Sequence, residues 1–147
     1  MKKRLYYVDT CIWLNLFKKE GDESKGIPYW KLAEDFISKV LFSEDMEIFY
    51  SDIILRELQI KLDEDYYKAK REFLEEESKF KKVEVLLEDK NEARKLESKY
   101  DFEISFYDLI HLVIAKRLNL ILVTRDSLLI DISRENDVDV KKPEELL

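Results

Sequence analysis

Four acids stand where this 147-residue chain changes from one kind of segment to another. Asp9 interrupts YYVDTCIWLNLF, with strand-forming residues before it and an apolar run after it. Glu57 lies six residues beyond Ser51, Asp108 three beyond Ser105, and Asp126 follows LILVT in the sequence TRDS. A carboxylate pressed between apolar segments is costly unless a hydrogen-bond donor, a cation or a metal pairs with it. Gathering four makes the need sharper, because one pair of unit charges at 4 Å repels by about 4 kcal/mol at an effective dielectric of 20. Either some are protonated or a cation sits among them. With no histidine or cysteine in the set, Mg2+ or Mn2+ fits the all-oxygen donors. Such an ion lowers the pKa of a water that attacks phosphorus in line, and it neutralises charge on the non-bridging and leaving oxygens of a phosphodiester. Thr10 and Thr124 are placed to hydrogen-bond a carboxylate or the scissile phosphate, and Arg125 to touch the substrate backbone.

Each acid also has a structural reading by itself. An aspartate in a first helical turn favours the macrodipole, and S-x-x-D at Ser105 to Asp108 is a capping pattern. Asp126 suits an N-cap and Glu57 an exposed helical position. The argument for chemistry rests on the four converging, which depends on the elements that carry them.

Arg4 to Val8 predicts a strand and Ile12 to Phe17 a largely buried helix. Residues 21 to 28, GDESKGIP, predict a loop, with Pro28 in the first turn of a helix running to Phe42. Met46 to Tyr50 is the next strand, and Ser51 the N-cap of a helix through Leu62. A helix over residues 65 to 80 places Tyr66, Ala69, Phe73 and Phe80 on one stripe. A strand from Val83 to Leu87 follows, then a solvent-facing helix anchored by Ala93, Leu96 and Tyr100, and a mostly apolar helix over 105 to 118. LILVT is a strand, Asp126 starts a helix, and Val138 to Val140 form a last strand. Alternating strands and helices predict a three-layer α/β/α fold, one domain over residues 1–147, with a mainly parallel central sheet. In such sheets the working crevice lies beyond the carboxyl ends of the strands, where Asp9 and Asp126 fall.

Composition narrows the class. The net charge of −7 argues against coating nucleic acid by bulk electrostatics, so any such contact is local. The single cysteine, Cys11, cannot form an internal disulfide, and no apolar run is long enough to span a bilayer. The early basic residues lack a following uninterrupted apolar stretch and cleavage site, so a cytoplasmic protein without a signal peptide is expected. Charged residues at 40% with two glycines and two prolines suit a thermophile. Cys11 reads as a small buried residue, and His111 as a packed, hydrogen-bonded histidine on the Asp108 side of its helix. The apolar Ile12, Trp13, Leu14, Leu16 and Phe17 fit a fully buried helix or a dimer surface.

YYVDTCIWL, SDIILREL, SFYDLIHLVIAKRLNLILVTRDS and VDVKKPEEL, in that order, resemble the PIN-domain nucleases, which include the VapC-type toxins of toxin-antitoxin pairs. The resemblance spans nearly the whole chain. It implies that Asp9, Glu57, Asp108 and Asp126 form the acidic metal site of a ribonuclease using Mg2+ or Mn2+, with RNA as substrate, an antitoxin partner and a homodimeric assembly. Cys11 departs from the asparagine or serine common after D-T, and the apolar residues after Ser127 depart from the polar residue often found there, which bears on a second metal site. A receiver domain would show an acidic pair before the first helix, and a haloacid-dehalogenase-type phosphatase D-x-D; this chain reads D-T-C. The rival from another class is a PIN fold that has kept its acids and acts as a non-catalytic binding module in an RNA-processing or protein assembly.

Overall fold

RLYYV, from Arg4 to Val8, forms β1, and its last three residues are all buried although two are tyrosines. A strand buried on both faces belongs in the middle of a parallel sheet. In the computed structural model, which describes residues 2–147, β1 is central. Its alternation separates two layers: Tyr6 meets Phe36 edge-on at 5.2 Å, while Tyr7 faces His111 at 5.3 Å.

The elements follow as α1 (Thr10–Lys18), α2 (Tyr29–Leu41), β2 (Met46–Tyr50), α3 (Asp52–Lys61), α4 (Glu64–Glu76), β3 (Phe80–Lys82), α5 (Leu87–Lys99), α6 (Phe106–Leu118), β4 (Ile121–Val123), α7 (Ser127–Glu135) and β5 (Val140–Lys141). Strand order is β3-β2-β1-β4-β5 and every pairing is parallel, giving the three-layer α/β/α arrangement. The chain builds outward from β1 to β3 on one side, then returns to lay β4 and β5 on the other. The order therefore reverses between β1 and β4, and a crevice opens beyond their carboxyl ends.

Helix α1 carries more apolar residues than one face requires because it is buried: Ile12, Trp13 and Phe17 lie in the core, with Leu14 and Leu16 packed against it. Trp13 joins Phe17, Phe73 and Phe80 in a run of ring contacts tying α1 to α4 and β3. Helix α6 buries seven consecutive residues, Leu109 to Ala115. Each large side chain so buried contributes roughly 1.5–3 kcal/mol.

Several local expectations shift. The third strand is Phe80–Lys82, not Val83 to Leu87, because Phe80 lies opposite Ile48 and the parallel register with β2 begins there. Val83 adds one more bond to Tyr50, and residues 84 to 86 leave the sheet. Helix α4 correspondingly stops at Glu76, and its buried residues are Tyr67 and Leu74, so the stripe is turned by one position from Tyr66 and Ala69. Pro28 occupies the N-cap position of α2, just outside its first turn, and the last strand is Val140–Lys141. Ser51 holds the N-cap position of α3 but its side chain makes no capping bond, being turned to Tyr7. Ser105 does cap, accepting from the Asp108 N–H at 3.1 Å. Among the described residues no helix is long and apolar enough to cross a membrane.

Candidate active site

Asp9 follows β1, and its backbone N–H donates to Val123 O at 2.9 Å, carrying the ladder one step past the strand. Its side chain makes no capping bond to α1. Only 3% exposed, the carboxylate accepts at Oδ2 from Thr124 Oγ1 (2.8 Å) and from the Cys11 thiol (3.2 Å). Its Oδ1 stands 3.8 Å from His111 Nε2 and takes no hydrogen bond among the described residues.

Glu57, half-buried on α3, accepts twice at one oxygen: from Thr10 Oγ1 at 2.8 Å and from His111 Nε2 at 2.6 Å. Asp126 caps α7, with Oδ1 accepting from Leu129 N–H at 3.0 Å. Its own N–H donates to Thr124 Oγ1, so one buried threonine bridges Asp9 and Asp126. In Asp9, Glu57 and Asp126 alike, donors among the described residues hold one carboxylate oxygen and leave the other without a donor.

Asp108 sits in the first turn of α6. Burial, then the charges of Asp9 and Asp126, push its pKa from 3.8 up to about 6, against the opposing pull of His111 and Ser105. His111 is fully buried. Burial draws its pKa down, but the hydrogen bond to Glu57 and the charges of Asp9, Glu57 and Asp108 outweigh that, so it holds its proton above the usual 6.5. Burial and the Asp9 charge push the Cys11 thiol up, keeping it a neutral donor.

Asp9, Glu57, Asp108 and Asp126 line one cleft of about 160 Å3, with Thr10, Cys11, Leu14 and Lys61. A larger hollow of about 530 Å3 beside α7 and β5 mixes paired acids and bases and holds none of these four acids. Thr10 reaches the cleft; Thr124 is wholly buried and acts on Asp9 and Asp126 from behind. Arg125 does not line the cleft. Its guanidinium makes two bonds to Glu144, at 2.9 and 2.7 Å, and stacks 4.1 Å over Tyr29. Lys61 was overlooked in the sequence although its spacing of four from Glu57 places it on the same helical side. The bonds joining Tyr7, His111 and Glu57 were not foreseen either, since no local pattern links them.

An all-oxygen set in which single carboxylate oxygens remain without donors, together with the raised pKa of Asp108, fits a divalent cation. Among the described residues no three acid, histidine or cysteine side chains meet as a ready-made metal-holding group. Mg2+ does not need one, since it keeps several waters and takes one or two carboxylates along with substrate phosphate.

A family model for the PIN domain matches residues 6–135. The chain belongs to the PIN-domain family. Its fold is shared with VapBC2 of Rickettsia felis, solved with a promoter DNA fragment, at 19% identity and a TM-score of 0.68, covering 94% of this chain and 98% of that one. It is likewise similar to VapC20 of Mycobacterium tuberculosis, a sarcin-ricin loop cleaving toxin (16% identity, TM-score 0.67, 86% of this chain and 94% of that one). A toxin-antitoxin complex from Klebsiella pneumoniae matches at 19% identity and a TM-score of 0.60, over 96% and 98% of the two chains. A search of curated proteins finds no match. At these identities the structural likenesses show the PIN fold, and the chemistry rests on the cleft.

Proposed function

We propose that this PIN-domain protein, taken as one domain, is a metal-dependent endoribonuclease and the toxin of a toxin-antitoxin pair, working as a homodimer in the cytoplasm. The observation that carries the reading is the convergence on one cleft of four carboxylates from four separate elements, with Lys61 the only cation among the described residues lining it. Asp9, Glu57, Asp108 and Asp126 would hold Mg2+ or Mn2+. When bound, the ion supplies charge neutralisation at the phosphate oxygens and a more acidic water for hydrolysis. VapC20 is a sarcin-ricin loop cleaving toxin and the Klebsiella relative a toxin-antitoxin complex, which supports RNA as substrate and an antitoxin as partner.

The chain's own residues orient the carboxylates. Thr124 and Cys11 hold Asp9 by one oxygen, and Thr10 and His111 hold Glu57 by one oxygen, so neither turns freely. Preset acids lower the reorganisation needed as substrate charge develops. Asp108, its pKa raised to about 6, is already mostly a carboxylate at neutral pH, and a bound cation would offset the like charges that help raise it.

The test is cleavage of a structured RNA by protein first stripped with chelator, then given Mn2+ or Mg2+. Cleavage that requires the added metal and disappears in Asp9→Asn supports the reading. RNA left intact while the folded protein binds it would favour the non-catalytic binding module.

A further inference from the structure

We propose that His111 is a positioning residue that fixes Glu57 for the cation, acting at the end of a buried hydrogen-bonded line that starts at Ser51 and passes through Tyr7. The inference rests on the metal-dependent reading above and adds to it residues that never touch the ion.

The line is continuous, and buried as far as His111. Ser51 Oγ and the Tyr7 hydroxyl are 2.7 Å apart, the Tyr7 hydroxyl and His111 Nδ1 2.8 Å, and His111 Nε2 and Glu57 Oε1 2.6 Å. Ser51, Tyr7 and His111 are each 0% exposed. Since Glu57 is the acceptor, Nε2 carries a hydrogen, and Nδ1 is left to Tyr7. The ring is thereby held at both nitrogens and cannot flip without leaving a buried polar atom unpaired. Tyr7 adds its ring, 5.3 Å from the imidazole.

The consequence for Glu57 is directional. With Thr10 also donating to Oε1, two donors fix that oxygen. The carboxylate's other oxygen is left for the cleft that Glu57 lines. His111 also stands 3.8 Å from Asp9 Oδ1, so one imidazole keeps station between the two acids. The components come from β1, the start of α3 and α6, which explains why a tyrosine hydroxyl and a serine hydroxyl are buried in the sheet at all. Groups behind a metal ligand typically change metal affinity by 10–100-fold when removed.

Two isosteric substitutions separate positioning from packing. In His111→Gln the amide nitrogen falls near the place of Nε2 and keeps the donor to Glu57; in His111→Asn it falls near Nδ1 and loses that donor. Both leave a buried amide in α6 and disturb packing comparably. Mn2+ is titrated calorimetrically into the full-length protein, with thermal unfolding confirming that each variant is folded. His111→Asn should bind Mn2+ about 10–100-fold more weakly, and His111→Gln within about threefold of the unsubstituted protein. Tyr7→Phe keeps the ring and removes only the hydroxyl, so it serves where the His111 variants fail to fold; a several-fold loss is expected. Equal affinities for the Asn and Gln variants, or an undiminished affinity in Tyr7→Phe, would overturn the positioning role. Absence of Mn2+ binding in the unsubstituted protein overturns the metal reading instead and takes this inference with it.

Discussion

Asp89 and Asp9 are both aspartates buried to within a few per cent, yet their surroundings differ completely. Asp89, at the start of α5, has both oxygens occupied: Arg117 Nε and Nη2 donate at 2.8 and 3.0 Å, and Leu86 N–H at 2.8 Å. Arg117 adds a bond to the Glu84 carbonyl, so one guanidinium closes α6 onto the segment entering α5. Asp9 receives a hydroxyl and a thiol on one oxygen and no hydrogen bond on the other, with further acids along the same cleft. The first charge meets a two-bond guanidinium; the second has on its free side, among the described residues, only His111, 3.8 Å away and hydrogen-bonded to Glu57 instead. That a fold builds a two-bond arginine pair for one buried aspartate and leaves another beside like charges supports the cation proposed above for the second.

That contrast breaks most visibly by removing each charge in turn. Asp9→Asn should cut RNA cleavage by more than about a thousandfold, roughly 4 kcal/mol of barrier, while leaving thermal stability without metal equal or higher. Asp89→Asn should do the reverse. It strips Arg117 of its partner and lowers unfolding stability by about 3 kcal/mol, at the low end for a broken buried pair because Arg117 is 32% exposed. Cleavage rates of whatever remains folded should stay close to those of the unsubstituted protein. Melting curves with chelator and cleavage assays with Mn2+ together decide it; a variant pair losing stability alike would remove the distinction.

The two aspartates also differed in how readable they were. Asp9 was marked out by local pattern, an acid at the end of a strand, and the strand ends could be placed because each strand is a short contiguous signal. Their carboxyl ends lie on one edge of a parallel sheet, so Asp9 and Asp126 could be brought to one edge without coordinates. Asp89 went unnoticed inside EDKNEARKLESKY, although it shares the helical stripe of Ala93 and Leu96. Its partner lies 28 residues on, and nothing local names it. His111 was legible as a packed, hydrogen-bonded residue, but its link through Tyr7 to Ser51 was hidden for the same reason, with separations of 104 and 44 residues. The third strand was misplaced because β-branched Val83 and Val85 outweigh Phe80 locally, whereas register against β2 is a property of two strands at once. Arg125 next to Asp126 invited a role at the substrate, and only Glu144 and Tyr29, brought in by the fold, show what its guanidinium does here.

Asp108 sharpens the contrast through pH. Its folded pKa, about 6, lies above the ordinary 3.8, so the folded state binds the proton more tightly than the unfolded chain does. The stabilisation is complete below about pH 4 and is lost as pH rises through 6. Asp108→Asn abolishes that loss. Without metal it should be more stable than the unsubstituted protein at pH 7 by about 1 kcal/mol, a figure reduced for the carboxyl's partial exposure, and indistinguishable at pH 4. Added Mn2+ at pH 7 should close the gap by stabilising only the protein with the carboxylate. Melting temperatures across pH 4 to 7 measure this, and a constant offset between the two proteins would mean that charge crowding is absent.

The smallest effect probes the charge of Asp9 without touching any assay of RNA. Cys11 is held as a thiol first by burial and then by the neighbouring Asp9 charge. Iodoacetamide reacts with thiolate, so alkylation near pH 8 should be far slower than for an exposed cysteine. Asp9→Asn removes the second cause and leaves the first, and the alkylation rate, followed by intact mass, should rise a few-fold only. Saturating Mn2+ in the unsubstituted protein should act in the same direction, since a cation beside Asp9 offsets the same charge, unless the ion shields the sulfur. A rate unchanged by Asp9→Asn would mean that burial alone governs the thiol and that the Asp9 charge is already compensated, which would place Asp9 alongside Asp89 after all.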